Sequence, residues 1–164
     1  MKTGPALPRT DRRFIEQIDR LLQSFRYWTS RDLLPDSGTP LQRAERLHLA
    51  GFAVIAHGVE PDPILYYGNQ TALRLWEMSW DLFTRTPSRL TAEPDGRAER
   101  ALRLAEVAER GFIRDYRGVR ISRTGRRFRI EEATIWNIID DPAGGHGRGR
   151  VCGQAATFQK WLFL

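Results

Sequence analysis

Sulfur and lysine are nearly absent from this chain. It has 164 residues and one cysteine, Cys152. A single thiol excludes an internal disulfide and any zinc site built on several cysteines. Lys2 and Lys160 are the only lysines, so the net charge of +6 is carried by arginine. A basic balance can point to nucleic acid or another anionic partner. Acidic residues are interleaved with the arginines along most of the chain, and no nucleic-acid motif accompanies them, so a solvated surface is the plainer expectation. No run of 18 apolar residues exists, so no membrane-spanning helix is expected. The N-terminus has no apolar centre of a secretory signal. These absences set the expectation of a cytoplasmic protein. Apolar residues at 41% and charged residues at 28% fit one globular domain with a sizeable core.

The most informative stretch covers residues 65–76. A β-branched and aromatic run, Leu65-Tyr66-Tyr67, breaks at Gly68-Asn69, and a helical apolar pattern follows at once. Asn69 is placed to cap that helix, because its side-chain oxygen can accept from the free amides of the first turn. Before it, residues 11–28 carry Phe14, Ile18, Leu21, Leu22 and Phe25 on one helical stripe. Thr39-Pro40-Leu41-Gln42 is a capping box with proline at the first helical position. That helix runs to about Ala50. Strands are expected over residues 52–57 and 64–67, and helices over 70–76, 79–83 and 94–110. The buried stripe of the last helix reads as Ala101, Leu104, Ala105, Ala108 and Phe112. Three more strands are expected over residues 112–123, 126–139 and 148–163. This order suits an antiparallel α+β domain. Three segments result: a lead-in over residues 1–10, helices over 11–50, and the main domain over 51–164.

The strand, asparagine, helix step at Tyr67-Gly68-Asn69 and Ala72-Leu73 resembles PAS-type sensor domains. So does the hairpin of Tyr116 to Arg120 with Gly125 to Phe128, and Trp136 before a loop. Residues 65–80, 88–91, 130–136 and 153–158 resemble more narrowly the MEKHLA family. This is a PAS-related domain found alone in bacterial proteins and at the C-terminus of plant homeodomain-leucine zipper proteins. The resemblance covers residues 20–164. It implies a PAS-like five-stranded antiparallel sheet, with helices across one face and the N-terminal helices on the other. It also implies a stand-alone sensory or adaptor module. Such a module holds a small apolar ligand and signals as a homodimer or through a protein partner. The homeodomain and zipper are not in this sequence, so their DNA binding does not carry over. The family brings no catalytic residues.

Candidate pocket residues are Tyr67, Leu73, Trp76, Trp80, Phe83, Leu90, Leu104, Ile121, Ile130 and Trp136. A filled core has the same composition as a ligand pocket, so the sequence leaves both open. Covalent flavin is not expected, since no cysteine lies in residues 79–110. Haem held by a histidine of the long helix is not expected either, because residues 94–110 contain none. His48, His57 and His146 have no shared metal spacing. Glycines 144, 145, 147 and 149 precede a β-rich run and not a helix, so a phosphate loop is not expected. Two further function classes stay open. One is a cone-shaped α+β enzyme with an acid or base beside Tyr66 or Tyr67. The other is nucleic-acid binding by a continuous arginine stripe.

Overall fold

The computed structural model describes residues 7–141 and 149–164. Most of the glycine run and His146 lie outside the described residues, as does most of the lead-in. Helix α1 (Arg12–Thr29) starts where Asp11 accepts from the Phe14 amide. Helix α2 (Pro40–Leu49) starts with the full capping box, Thr39 and Gln42 satisfying each other's backbone donors. Strands β1 (Ala53–His57) and β2 (Leu65–Gly68) follow. Three helices come next: α3 (Gln70–Trp76), α4 (Trp80–Phe83) and, after a 3-10 turn (Ser88–Thr91), α5 (Pro94–Arg110). The chain ends in β3 (Phe112–Ile121), β4 (Arg127–Ile139), β5 (Val151–Phe158) and β6 (Lys160–Phe163).

The strands form one antiparallel sheet in the order β2-β1-β5-β4-β3, with β6 also paired to β4. The sequence pattern predicts one strand over residues 148–163. The chain instead bends at Gln159, so β5 lies beside both β1 and β4 while β6 continues along β4 alone. Leu162, Phe163 and Leu164 keep about half their surface exposed there.

Two cores sandwich the sheet. One face packs Trp76, Phe83, Phe128, Ile130, Ile135 and Phe158 beneath α3 and α5. The other packs Phe14, Ile18, Leu21, Phe25 and Leu47 of α1 and α2 on Val54, Tyr67, Trp136 and Ile138. The mixed apolar pattern of β4 has a specific cause. Phe128 and Ile130 face the first core, but beyond Glu132 it is Ala133 and Ile135 that do so. Glu132 has φ +51° and inserts one extra residue into β4; Asp115, at φ +56°, inserts one into β3. Each bulge shifts the face alternation by one residue. The same switch separates Phe158 from Trp161 across the bend at Gln159, since both reach the first core. The aligned irregularities crease the sheet across β3 and β4.

Helix α5 also sits rotated from its expected stripe. Ala101, Ala105 and Ala108 are exposed, and Arg97, Arg100, Leu104 and Val107 face inward. Alanine offers little surface to bury, so the longer side chains take the sheet-facing positions. Phe112, expected on the same stripe, opens β3 and packs instead with the α1 core. On the outer side of this helix Glu106 meets Arg110 at 3.1 Å and Arg103 at 3.0 Å, while Glu99 makes no ion pair among the described residues.

Candidate functional site

Asn69 fixes the start of α3. It is fully buried, and its Oδ1 accepts from Ala72 N at 3.2 Å and Val54 N at 3.1 Å. Its Nδ2 donates to Leu47 O at 3.0 Å and Phe52 O at 2.8 Å. One side chain thus caps α3 and ties it to β1 and to the end of α2.

Most of the concave face beneath α3 and α5 is filled. The Trp76 ring lies 5.2 Å from Phe128, 6.1 Å from Phe158 and 6.2 Å from Phe83, all tilted or edge-on, the favoured geometry for aromatic packing. What remains is a cavity of ≈ 30 Å³ under the middle of α5. Ile55, Leu104, Ile135 and Ala156 form its apolar wall, and His57, Ser88, Thr91, Arg100, Arg120 and Gln154 its polar one.

Those polar groups come from five elements. His57 ends β1, and its Nδ1 lies 2.9 Å from Gly58 O, while its buried Nε2 has no partner among the described residues. Burial lowers the His57 pKa, and the Arg100 charge lowers it further. Arg120 of β3 is only 6% exposed; it donates to Tyr116 Oη at 3.0 Å and Val119 O at 2.9 Å. Arg100 of α5 donates to Ser88 Oγ. Its pKa is pushed down to about 10, first by burial and then by Arg120. Gln154 of β5 donates to Leu104 O and to Asn137 Oδ1, both at 3.2 Å, and Asn137 Nδ2 reaches Val107 O at 3.1 Å. These bonds tether the C-terminal half of α5 to the sheet.

The sequence candidates fall in several places. Leu104 lines the cavity. Leu73, Trp76, Phe83 and Ile130 pack in the filled part of the same core. Tyr67, Trp80 and Trp136 belong to the opposite core, against α1. The bulge at Glu132 explains Trp136, because it reverses which residues of β4 face α5. Tyr67 Oη is buried with no partner among the described residues, and burial raises its pKa. Leu90 is 41% exposed on the 3-10 turn, and Ile121 is half-buried at the end of β3. Sequence reading missed His57, Arg100 and Arg120 as a group. The available signal was Arg97, Arg100 and Leu104 at helical spacing, an arginine row continuous with the one leucine of the stripe.

The MEKHLA domain model matches residues 15–163. The chain belongs to the MEKHLA family. Its residues are 26% identical over 102 positions to homeobox-leucine zipper protein ATHB-9 of Arabidopsis thaliana. That match covers 62% of this chain and 11% of the plant protein, so the chain spans about a tenth of its relative's length. Among solved structures, a PAS domain of a protein from Colwellia psychrerythraea superposes with TM-score 0.59 at 14% identity, covering 71% of this chain and 92% of that one. A light-oxygen-voltage domain studied with a flavin analogue gives 0.57 at 16% identity, covering 75% and 84%. An RNA-binding light-oxygen-voltage receptor gives 0.62 at 20% identity, covering 80% of this chain and 35% of that one. At these identities the likeness establishes the PAS fold, and the cone-fold alternative falls with it.

Among the described residues no helix of this MEKHLA domain is long and apolar enough to cross a membrane. Many arginines form local ion pairs on separate elements, including Arg12–Glu16, Arg26–Asp36, Arg43–Asp19, Arg89–Asp62 and Arg129–Glu131. That distribution does not support the nucleic-acid alternative.

Proposed function

We propose that this MEKHLA domain is a sensory or adaptor module that converts occupancy beneath α5 into a change in how α1 meets a protein partner or a second copy. The observation that carries the reading is the single sheet shared by cavity and helix. Ile135 lines the cavity, and the next residue, Trp136, packs edge-on against Phe25 of α1 at 5.0 Å and donates to Leu21 O at 3.3 Å. Gln154, Ala155 and Ala156 border the cavity, and Ala155 also packs with the α1 core. Adjacent strand residues point to opposite faces, so a shift of β4 or β5 on one side is felt on the other.

Helix α5 is suited to move. Val107 is its one fully buried residue, and elements with little buried surface open at low free-energy cost. On the far side, α1 and the α1–α2 connection border an open groove of ≈ 590 Å³ with Leu22, Leu33 and Leu34 beside Asp19, Arg26 and Arg43. This groove is the surface offered to a partner.

The flavin of the light-oxygen-voltage neighbour does not fit here. Ligand pockets run to about 300 Å³ or more, and the aromatic cluster leaves a tenth of that. Native mass spectrometry and light scattering of the purified chain, with a thermal-shift ligand screen, test the proposal. A retained small molecule, or a dimer whose population responds to a ligand, is the expected result. A monomer at every concentration that responds to no ligand refutes it.

A further inference from the structure

Two arginines share the cavity wall with no acid between them. Among the described residues neither Arg100 nor Arg120 forms an ion pair, and no Asp or Glu lines the cavity. The nearest carboxylate influencing His57 is that of the exposed Glu60. Arg120 is buried and Arg100 half-buried. A buried cation without a counter-charge is strongly unfavourable, and a second cation within its influence makes it worse. Elsewhere a partly buried arginine meets an acid, as Arg43 meets Asp19 at 3.1 Å, or rests on backbone carbonyls, as Arg97 does on Arg89 O and Ala92 O. The cavity differs in holding two such cations together.

The donors that remain point to what is missing. Each guanidinium offers five N–H groups. The bonds described use two of Arg120 and one of Arg100. Space in the cavity, ≈ 30 Å³, equals about two water-sized positions. Two adjacent oxygens on one carbon occupy such a space, and the planar arginine fork matches them in geometry and charge. A tetrahedral phosphate has four oxygens and is too large for the cavity as it stands.

We propose that the cavity formed by His57, Ser88, Arg100, Arg120 and Gln154 is a binding site for a small carboxylate anion, which bridges the two guanidiniums beneath α5. This names the ligand class for the sensory reading above and rests on it for its biological consequence. His57 adds a signature. The contact from its Nδ1 to Gly58 O requires the ring proton there, so the neutral ring presents a bare acceptor at Nε2. An entering carboxylate faces that acceptor, and His57 takes up a proton as the anion binds. The charged groups acting on it are Arg100 from α5, which opposes protonation until the anion is present, and Glu60 from the β1–β2 loop, which favours it; Arg120 of β3 lines the same cavity. Affinity for the anion therefore rises as pH falls from about 8 to 6, across the usual histidine range.

The test uses the full chain, dialysed into a buffer whose only anion is a bulky sulfonate. Melting temperature is followed against formate, acetate, chloride and phosphate at constant ionic strength. Formate or acetate should raise Tm saturably, by roughly 5 °C or more at a hundred times Kd. The response should be stronger at pH 6 than at pH 8. Arg100→Gln should weaken it at least tenfold, and Arg103→Gln, outside the cavity, should leave it intact. The inference is overturned by no carboxylate response in the wild type, by an equal response to chloride, or by an unchanged response in Arg100→Gln. A flat pH profile overturns the part given to His57. Light scattering with and without acetate separates this inference from the sensory reading. Carboxylate binding with no change in association upholds the site and removes the proposed signalling. A change in association driven by some other ligand, with carboxylate inert, does the reverse.

Discussion

Asn69→Ala should be among the most damaging single polar changes in this protein. Its side chain makes four hydrogen bonds while fully buried. Removing an N-cap side chain costs about 1 kcal/mol. The Val54 amide also loses its side-chain acceptor in the interior, and a stranded buried donor costs a further ~1–3 kcal/mol. The carbonyl of Phe52 loses its donor, whereas Leu47 O keeps a bond from Ala50 N at 3.3 Å. The sum is about 3–5 kcal/mol, a large part of the roughly 5–15 kcal/mol that holds an ordinary domain folded. For a chain of this size Tm should fall by about 10 °C. Asn69→Asp keeps the acceptor but turns a second oxygen toward two carbonyls, so it should be at least as damaging. Ser79→Ala is the control. Ser79 accepts only from Leu82 N, at an exposed site, and its loss should cost about 1 kcal/mol. Urea unfolding with an unchanged m-value gives each number. If Asn69→Ala costs no more than Ser79→Ala, the idea that this residue joins three elements energetically is wrong.

Other outcomes follow from the same geometry. Tyr67→Phe removes a buried hydroxyl without a partner among the described residues, so stability should hold or rise by about 1 kcal/mol; a loss of that size by urea unfolding contradicts it. Gly111→Ala should destabilise twice over, since Gly111 has φ +97° and an added Cβ would meet the Trp28 ring; thermal melting should show a fall of several degrees. Burial lowers the pKa of both His48 and His57 below 6.5, so the unfolded chain takes protons first. Stability is then complete above pH 6.5 and declines as pH drops toward the folded values. In the sulfonate buffer Tm should fall between pH 7 and 5, and His57→Gln should flatten part of that slope.

Local signals were readable because they depend on neighbours a few residues away. Thr39 and Asn69, the caps the sequence indicates, cap their helices with their own side chains. The turns at Gly38 and Gly125 take positive φ where glycine permits it. The order of strands and helices, and the family, also follow from the chain's linear pattern. Face assignment in the long strands did not. A bulge at Glu132 or Asp115 has no reliable local signature, because it is set by the partner strand's register and by the curvature of the whole sheet. The stripe of α5 was misread for a related reason: alanines score as apolar, yet the helix turns toward the sheet whichever residues fill the gap beneath it.

The chain alone determined which segments are helix and strand, and the antiparallel α+β plan they form. Capping bonds, apolar periodicity and turn residues act over a few positions and survive out of context. Only the folded whole decided that Tyr67, Trp80 and Trp136 serve the α1 core while His57, Arg100, Arg120 and Gln154 meet in one cavity. These residues are separated by tens of positions, and their meeting depends on sheet register, the crease across β3 and β4, and the rotation of α5. Those quantities minimise the free energy of the entire packed structure and belong to no single stretch of sequence.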